Sequence, residues 1–142
     1  MTPKIKALLK MLQMQGIRFI IGGGYCLRRI RPFHDVDISV HPDDWVRMLD
    51  LLPEGRELEF KYVENPKRRV VHYIYRIPNE KSIDFWLGSV VMGYEYGGPL
   101  VKTIVVDGFW EWTEDTALKF KEGTAALGVE KDVRFLKSIG RM

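Results

Sequence analysis

Ile17–Val40 reads IRFIIGGGYCLRRIRPFHDVDISV, and this stretch decides how the rest of the chain is read. Ile17 to Ile21 is an apolar run of strand length, rich in isoleucine. Gly22, Gly23 and Gly24 follow. They let the backbone turn sharply and let another group come close to it. Tyr25 to Ile30 reads as a short helix, ended by Pro32, because the residue before a proline is pushed out of the α region. Asp35 to Val40 then alternates polar and apolar residues as a second strand. Side chains alternate faces along a strand, so Asp35 and Asp37 share one face and Val36 and Ile38 the other.

Two carboxylates on one strand face repel each other unless a cation lies between them. Carboxylate oxygens are hard ligands of the kind Mg²⁺ takes, one or two at a time, together with substrate phosphates. A glycine turn at the start of a helix offers backbone N–H groups to an anion. Taken alone, Asp35 and Asp37 read as a wet strand face. Beside the glycines they point to metal and phosphate in one small volume.

Gly23-Gly24, ten intervening residues, then Asp35-Val36-Asp37-Ile38 resembles the signature of the DNA polymerase β-type nucleotidyltransferase superfamily. In that superfamily a third carboxylate sits on a neighbouring strand. Ser82-Ile83-Asp84-Phe85-Trp86 supplies a candidate in Asp84. The resemblance implies an α/β (α+β) nucleotidyltransferase fold, a mixed sheet with helices mainly on one face. It also implies transfer of a nucleoside monophosphate from an NTP to an acceptor hydroxyl, with release of pyrophosphate. Asp35, Asp37 and Asp84 would hold two Mg²⁺ ions, with Mn²⁺ as the alternative. Gly22, Gly23 and Gly24 would present backbone to the phosphates.

The remaining elements follow in order. Thr2 is placed to cap a helix with Pro3 at its first position, and Ile5, Leu8, Leu9 and Leu12 form its apolar stripe. Asp43 or Asp44 heads a helix carrying Trp45, Met48, Leu49 and Leu52. Strands are expected around Leu58–Tyr62, Arg68–Ile77 and Ser82–Leu87, the last two as a hairpin. In the last of these, Asp84 shares a face with Ser82 and Trp86, opposite Ile83 and Phe85. Residues 88–99 form a glycine-rich loop in which Tyr94 and Tyr96 read as packing residues or as platforms for a base. Asp107-Gly108 turns a hairpin between Val101–Val106 and Phe109–Trp112. Thr113 then caps a helix through Leu118 and Phe120, and a last helix holds Val133, Leu136 and Ile139.

This tail resembles that of small nucleotidyltransferases related to abortive-infection and toxin-type enzymes. The resemblance implies that a lysine on the penultimate helix faces the phosphates. Lys119 is the matching position, and a solvated helix face is the equal alternative. Arg28, Arg29 and Arg31 fit either a triphosphate or RNA backbone, or a wet face, and Arg28 is carried forward as a nucleotide contact.

At 142 residues the chain fits one domain spanning 1–142. Hydrophobic residues make up 46% of it and the net charge is +3, which permits RNA contact without requiring it. A single cysteine, Cys26, excludes an internal disulfide and offers no zinc cluster, and no apolar stretch is long enough to span a bilayer. A cytoplasmic enzyme is expected, with no membrane partner. No G-x-G-x-x-G or P-loop is present, and the three histidines lack zinc spacing. The acceptor is left open between an RNA or tRNA end and a protein side chain, and an antitoxin-like protein partner is compatible. The alternative is a non-catalytic member of the same fold that binds nucleotide, RNA or a partner.

Overall fold

The computed structural model describes residues 1–52, 57–65, 68–87 and 101–142, with side chains of 57–65 and 68–72 left aside. The glycine-rich segment 88–99, with Tyr94 and Tyr96, lies outside the described residues.

Helix α1, Pro3–Met14, forms where the sequence pattern puts it. The Thr2 side chain accepts the Ile5 N–H, and Ile5, Leu8, Leu9 and Leu12 are buried. Each such side chain contributes about 1.5–3 kcal/mol relative to an exposed one. Gly16, at φ +80°, carries the chain out of the helix toward β1, Phe19–Gly22. The segment read as a helix from Tyr25 to Ile30 is a 3-10 turn, Gly23–Leu27, starting two residues earlier. β2 is Val36–Val40, with Asp35 immediately before it.

His41 introduces a second 3-10 turn, Pro42–Asp44, and α2, Trp45–Leu51, follows. Asp44 holds the N-cap position of α2 but makes no capping bond. Its carboxylate instead accepts from the backbone and side chain of Arg18, both at 2.9 Å, and this holds its pKa down at about 2. β3 (Glu57–Asn65), β4 (Arg68–Arg76) and β5 (Ile83–Leu87) come next. β6 (Thr103–Val106) and β7 (Phe109–Trp112) meet at an Asp107-Gly108 turn, with φ +53° and +84°. That is the conformation a two-residue hairpin asks of this pair. α3, Glu114–Ala126, is capped by Thr113, and α4, Glu130–Ser138, closes the chain.

Among the described residues the strands form one mixed sheet, in the order β3-β4-β5-β2-β1-β7-β6. β2 lies at its centre, antiparallel to β1 and parallel to β5. Val36, Ile38 and Val40 are fully buried on one face of β2, as are Ile83 and Phe85 on β5. Alternation then turns Asp37 and Asp84 to the other face. The register sets Asp37 opposite Gly22 on one side and opposite Asp84 on the other. No helix is long and apolar enough to cross a membrane among the described residues.

Candidate metal centre

Asp35 and Asp37, two residues apart, and the distant Asp84 converge at the centre of the sheet. Asp35, Asp37 and Asp84 each offer an oxygen, and these atoms lie within 4.8 Å of one another. Asp84 is buried and the other two are half-buried. Their proximity follows from geometry alone: neighbouring strands run about 4.8 Å apart, and Asp37 and Asp84 are register partners.

Asp37 and Asp84 are both oriented by donors from the β5 segment. The Trp86 indole N–H donates to Asp37 Oδ1 at 3.0 Å, and the Ser82 hydroxyl donates to Asp84 Oδ1 at 3.3 Å. Both donors sit two residues from Asp84, so strand alternation brings them to its face. That alternation is visible in the sequence. The orienting roles of these two donors are not.

The glycine turn closes over the acids from the β1 side. Gly23 has φ +65°, and a Cβ there would lie 2.1 Å from Asp37 Oδ2. Only glycine meets both constraints. A Cβ at Gly22 would meet the Trp112 ring at 2.8 Å, so Gly22 serves close packing of β1 on β7. Gly24 has open space around it and lines the cleft. Of the three glycines, only Gly24 combines cleft lining with room for a ligand to approach its backbone.

The acids line a cleft of about 520 Å³, and Arg31, Lys121 and Lys131 form a cationic part of its wall, with His34 also lining it. The Asp35 carboxyl is pushed up to about 7, first by burial, then by the charge of Asp37 and by the hydrogen bond and charge of Asp84, with Lys131 pulling the other way. Three carboxylates this close resist simultaneous ionisation, and a divalent cation relieves that cost. The donor set is all hard oxygen, which suits Mg²⁺ or Mn²⁺ and not a soft thiophilic metal.

Comparison with protein-family models, with characterised proteins and with solved structures found no match. The chemistry of the site is therefore argued from its geometry.

Two expected phosphate contacts stand elsewhere. Arg28 does not line the cleft: its guanidinium donates to the buried Glu111 at 3.0 Å and to the Tyr25 carbonyl at 3.1 Å, and lies 4.2 Å over the Tyr25 ring. It clamps the 3-10 turn to β7 and neutralises a buried acid. Lys119 also stays outside the cleft, half-exposed and 3.1 Å from Asp115 one helical turn away. Residues two apart on a helix point to different sides, and Lys121 takes the inward one. The signal was present. Ala117, Leu118 and Ala125 mark the buried face of α3, and Lys121 lies three and four positions from them. Arg29, for its part, pairs with Glu114.

The lysine of the cleft is itself positioned. Lys121 Nζ lies 3.3 Å from Asp132, which is 4% exposed and also accepts from the Thr124 hydroxyl. Cys26 is a buried residue of the 3-10 turn, its thiol pushed up to about 12 mainly by burial, and so is not a nucleophile.

Proposed function

We propose that this chain is a metal-dependent nucleotidyltransferase, moving a nucleoside monophosphate from an NTP to an acceptor hydroxyl. The observation that carries the reading is the convergence of Asp35, Asp37 and Asp84 within 4.8 Å beside the Gly23-Gly24 turn. An antiparallel β1–β2 pair joined through that turn, with the third acid on the parallel neighbour β5, supports a nucleotidyltransferase fold.

In this reading Asp35 and Asp37 would hold a divalent cation for the triphosphate, and Asp84 would share a second with them. Bound there, the cations supply charge neutralisation to the phosphates and polarise the acceptor hydroxyl. The protein's own groups do the rest. Trp86 and Ser82 fix the Asp37 and Asp84 carboxylates, so that little reorganisation of these two is left for the reaction. Arg31, Lys121 and Lys131 draw the triphosphate against the acids from the cationic part of the wall. The acceptor oxygen bonds to the α-phosphorus, the bond from that phosphorus to the β-phosphate oxygen breaks, and pyrophosphate leaves with the electron pair. The hydroxyl proton passes to Asp84. An RNA end and a protein hydroxyl both fit as acceptor.

Incubation of the full chain with each α-phosphorus-labelled NTP in cell extract, with Mg²⁺ or Mn²⁺, tests the proposal. Label should pass to one macromolecule with release of pyrophosphate, and the transfer should vanish in Asp37→Asn and in chelator. NTP binding without turnover would instead favour a non-catalytic nucleotide-binding domain. Neither binding nor turnover with any of the four nucleotides would end the nucleotide reading.

A further inference from the structure

The three acids are not held alike. Asp37 and Asp84 belong to β2 and β5, are register partners, and accept from the Trp86 indole and the Ser82 hydroxyl. Asp35 lies one residue before β2, outside that ladder. The chain that carries it, Phe33-His34-Asp35-Val36, is instead gripped at both ends by two consecutive residues. The Lys81 ammonium donates to the Phe33 carbonyl at 2.7 Å, and the Ser82 carbonyl accepts the Val36 N–H at 3.0 Å. A protonated amine on an oxygen acceptor makes a charge-assisted bond, stronger than a neutral one. Lys81 also lies 5.0 Å over the Phe33 ring, and that ring meets the buried Tyr25 nearly at a right angle, with centroids 4.9 Å apart. The turn that delivers Lys81 is itself tied: the Glu80 N–H donates to the Ile77 carbonyl at 3.0 Å, with Asn79 at φ +65°.

From this we infer that Lys81 is a positioning residue of the metal centre: by holding the Phe33 carbonyl it places Asp35 against Asp37 and Asp84. Lys81 touches neither metal nor substrate in this assignment. It stands beside Ser82, so one dipeptide sets both Asp35, the acid outside the ladder, and Asp84, the acid within it. An exposed lysine near three carboxylates reads at first as a counter-charge, which contributes little at a wet surface. Its bond here goes to a backbone carbonyl two residues from Asp35, and that is a hold on the chain. The inference rests on the metal-binding part of the nucleotidyltransferase reading and goes beyond it by naming what orients the acid that strand register leaves unfixed.

Calorimetric titration of the full chain with Mn²⁺ alone, at fixed ionic strength, tests this through the sign of one change. Lys81→Met keeps an unbranched stem over Phe33 and removes both the donor and the charge. Losing a cation near the acids would by itself tighten a divalent ion, whereas losing the hold on Asp35 would weaken it. Mn²⁺ affinity should fall about fivefold to tenfold, while the melting temperature of the metal-free protein moves by no more than about 3 °C. Lys81→Arg, which restores a charged donor, should return the affinity to within about twofold of wild type. Affinity that is unchanged or tighter in Lys81→Met overturns the assignment and leaves the transferase reading intact. So does a weakened Lys81→Met that Lys81→Arg fails to rescue. Should Lys81→Met fail to fold, Lys81→Ala is read by the same sign. If the wild type itself binds no Mn²⁺, the metal centre is wrong and this inference falls with it.

Discussion

The two walls of the cleft are built by different means. Asp35, Asp37 and Asp84 lie on or beside the two central strands β2 and β5, where hydrogen-bonded register fixes each carboxylate to its neighbour. Arg31, Lys121 and Lys131 arrive from the segment after the 3-10 turn and from α3 and α4. Their positions depend on how helices pack, and two of them have a partner there: Arg31 lies 4.4 Å over the Phe135 ring, and Lys121 pairs with Asp132. The acid wall is set by strand periodicity and tolerates little change. The cation wall is a set of long side chains whose charge can act without exact placement. Substitutions should therefore be severe on the first wall and graded on the second.

The largest effect should come from the acid wall. Asp37→Ala removes the carboxylate that faces both Gly23 and Asp84, and turnover should fall about a thousandfold or more while the fold remains. Asp84→Ala should lose turnover comparably yet still bind NTP with Mg²⁺, because Asp35 and Asp37 remain. Rate and binding measured side by side test this. Equal loss of NTP binding in both variants would erase the division of roles within the acids.

Gly23→Ala comes next, since it leaves every charge in place and disturbs only geometry. The added methyl meets Asp37 at a position with φ +65°. Strain and displacement together should cost about 2–3 kcal/mol of stability and about a hundredfold in turnover. Denaturant unfolding gives the first figure and steady-state kinetics the second. A neutral Gly23→Ala would mean that the acid wall is not rigidly specified.

On the cation wall, Lys121→Ala should raise KM for the NTP about tenfold with a smaller change in kcat, and Lys119→Ala should stay within about twofold of wild type. The pair of lysines tests the contrast within one helix, since both changes remove the same charge. A larger effect at Lys119 would move the phosphates to the other side of α3.

The smallest effect is a pH dependence of stability confined to the acid wall. The folded-state pKa of Asp35, about 7, lies above its ordinary value of 3.8, so the native state binds the extra proton between those limits. Stability of the metal-free protein should then fall as pH rises from about 4 to 8, by about 1–2 kcal/mol after allowance for solvent screening. Asp35→Asn should flatten the profile, and Mg²⁺ should restore stability at the alkaline end. Melting temperature against pH, with and without metal, is the measurement. A flat profile in the metal-free wild type would show that the acids are better solvated than their burial indicates.

The chain by itself determined the acid wall and most of the frame around it. Glycines followed by Asp-x-Asp mark a strand, a turn and a second strand, and period-2 alternation puts Asp35 and Asp37 on one face of their strand and Asp84 with Ser82 and Trp86 on one face of theirs. The cap at Thr2, the stripe of α1, the Asp107-Gly108 turn and the cap at Thr113 were equally legible, because each depends on neighbours a few residues away. Tertiary structure decided the rest. Nothing local told that β5 pairs parallel to β2 with Asp37 opposite Asp84, since 47 residues separate them in the chain. Nor did sequence distance reveal that Glu111, 83 residues from Arg28, claims that guanidinium, or that Asp44 gives up capping for Arg18. The same limit applied to the lysines: α3 had a readable buried face, but which side of it meets the cleft depends on packing against the 3-10 turn and α4. Strand alternation and caps act over a few bonds, whereas charge pairing and cavity formation act through space between distant segments.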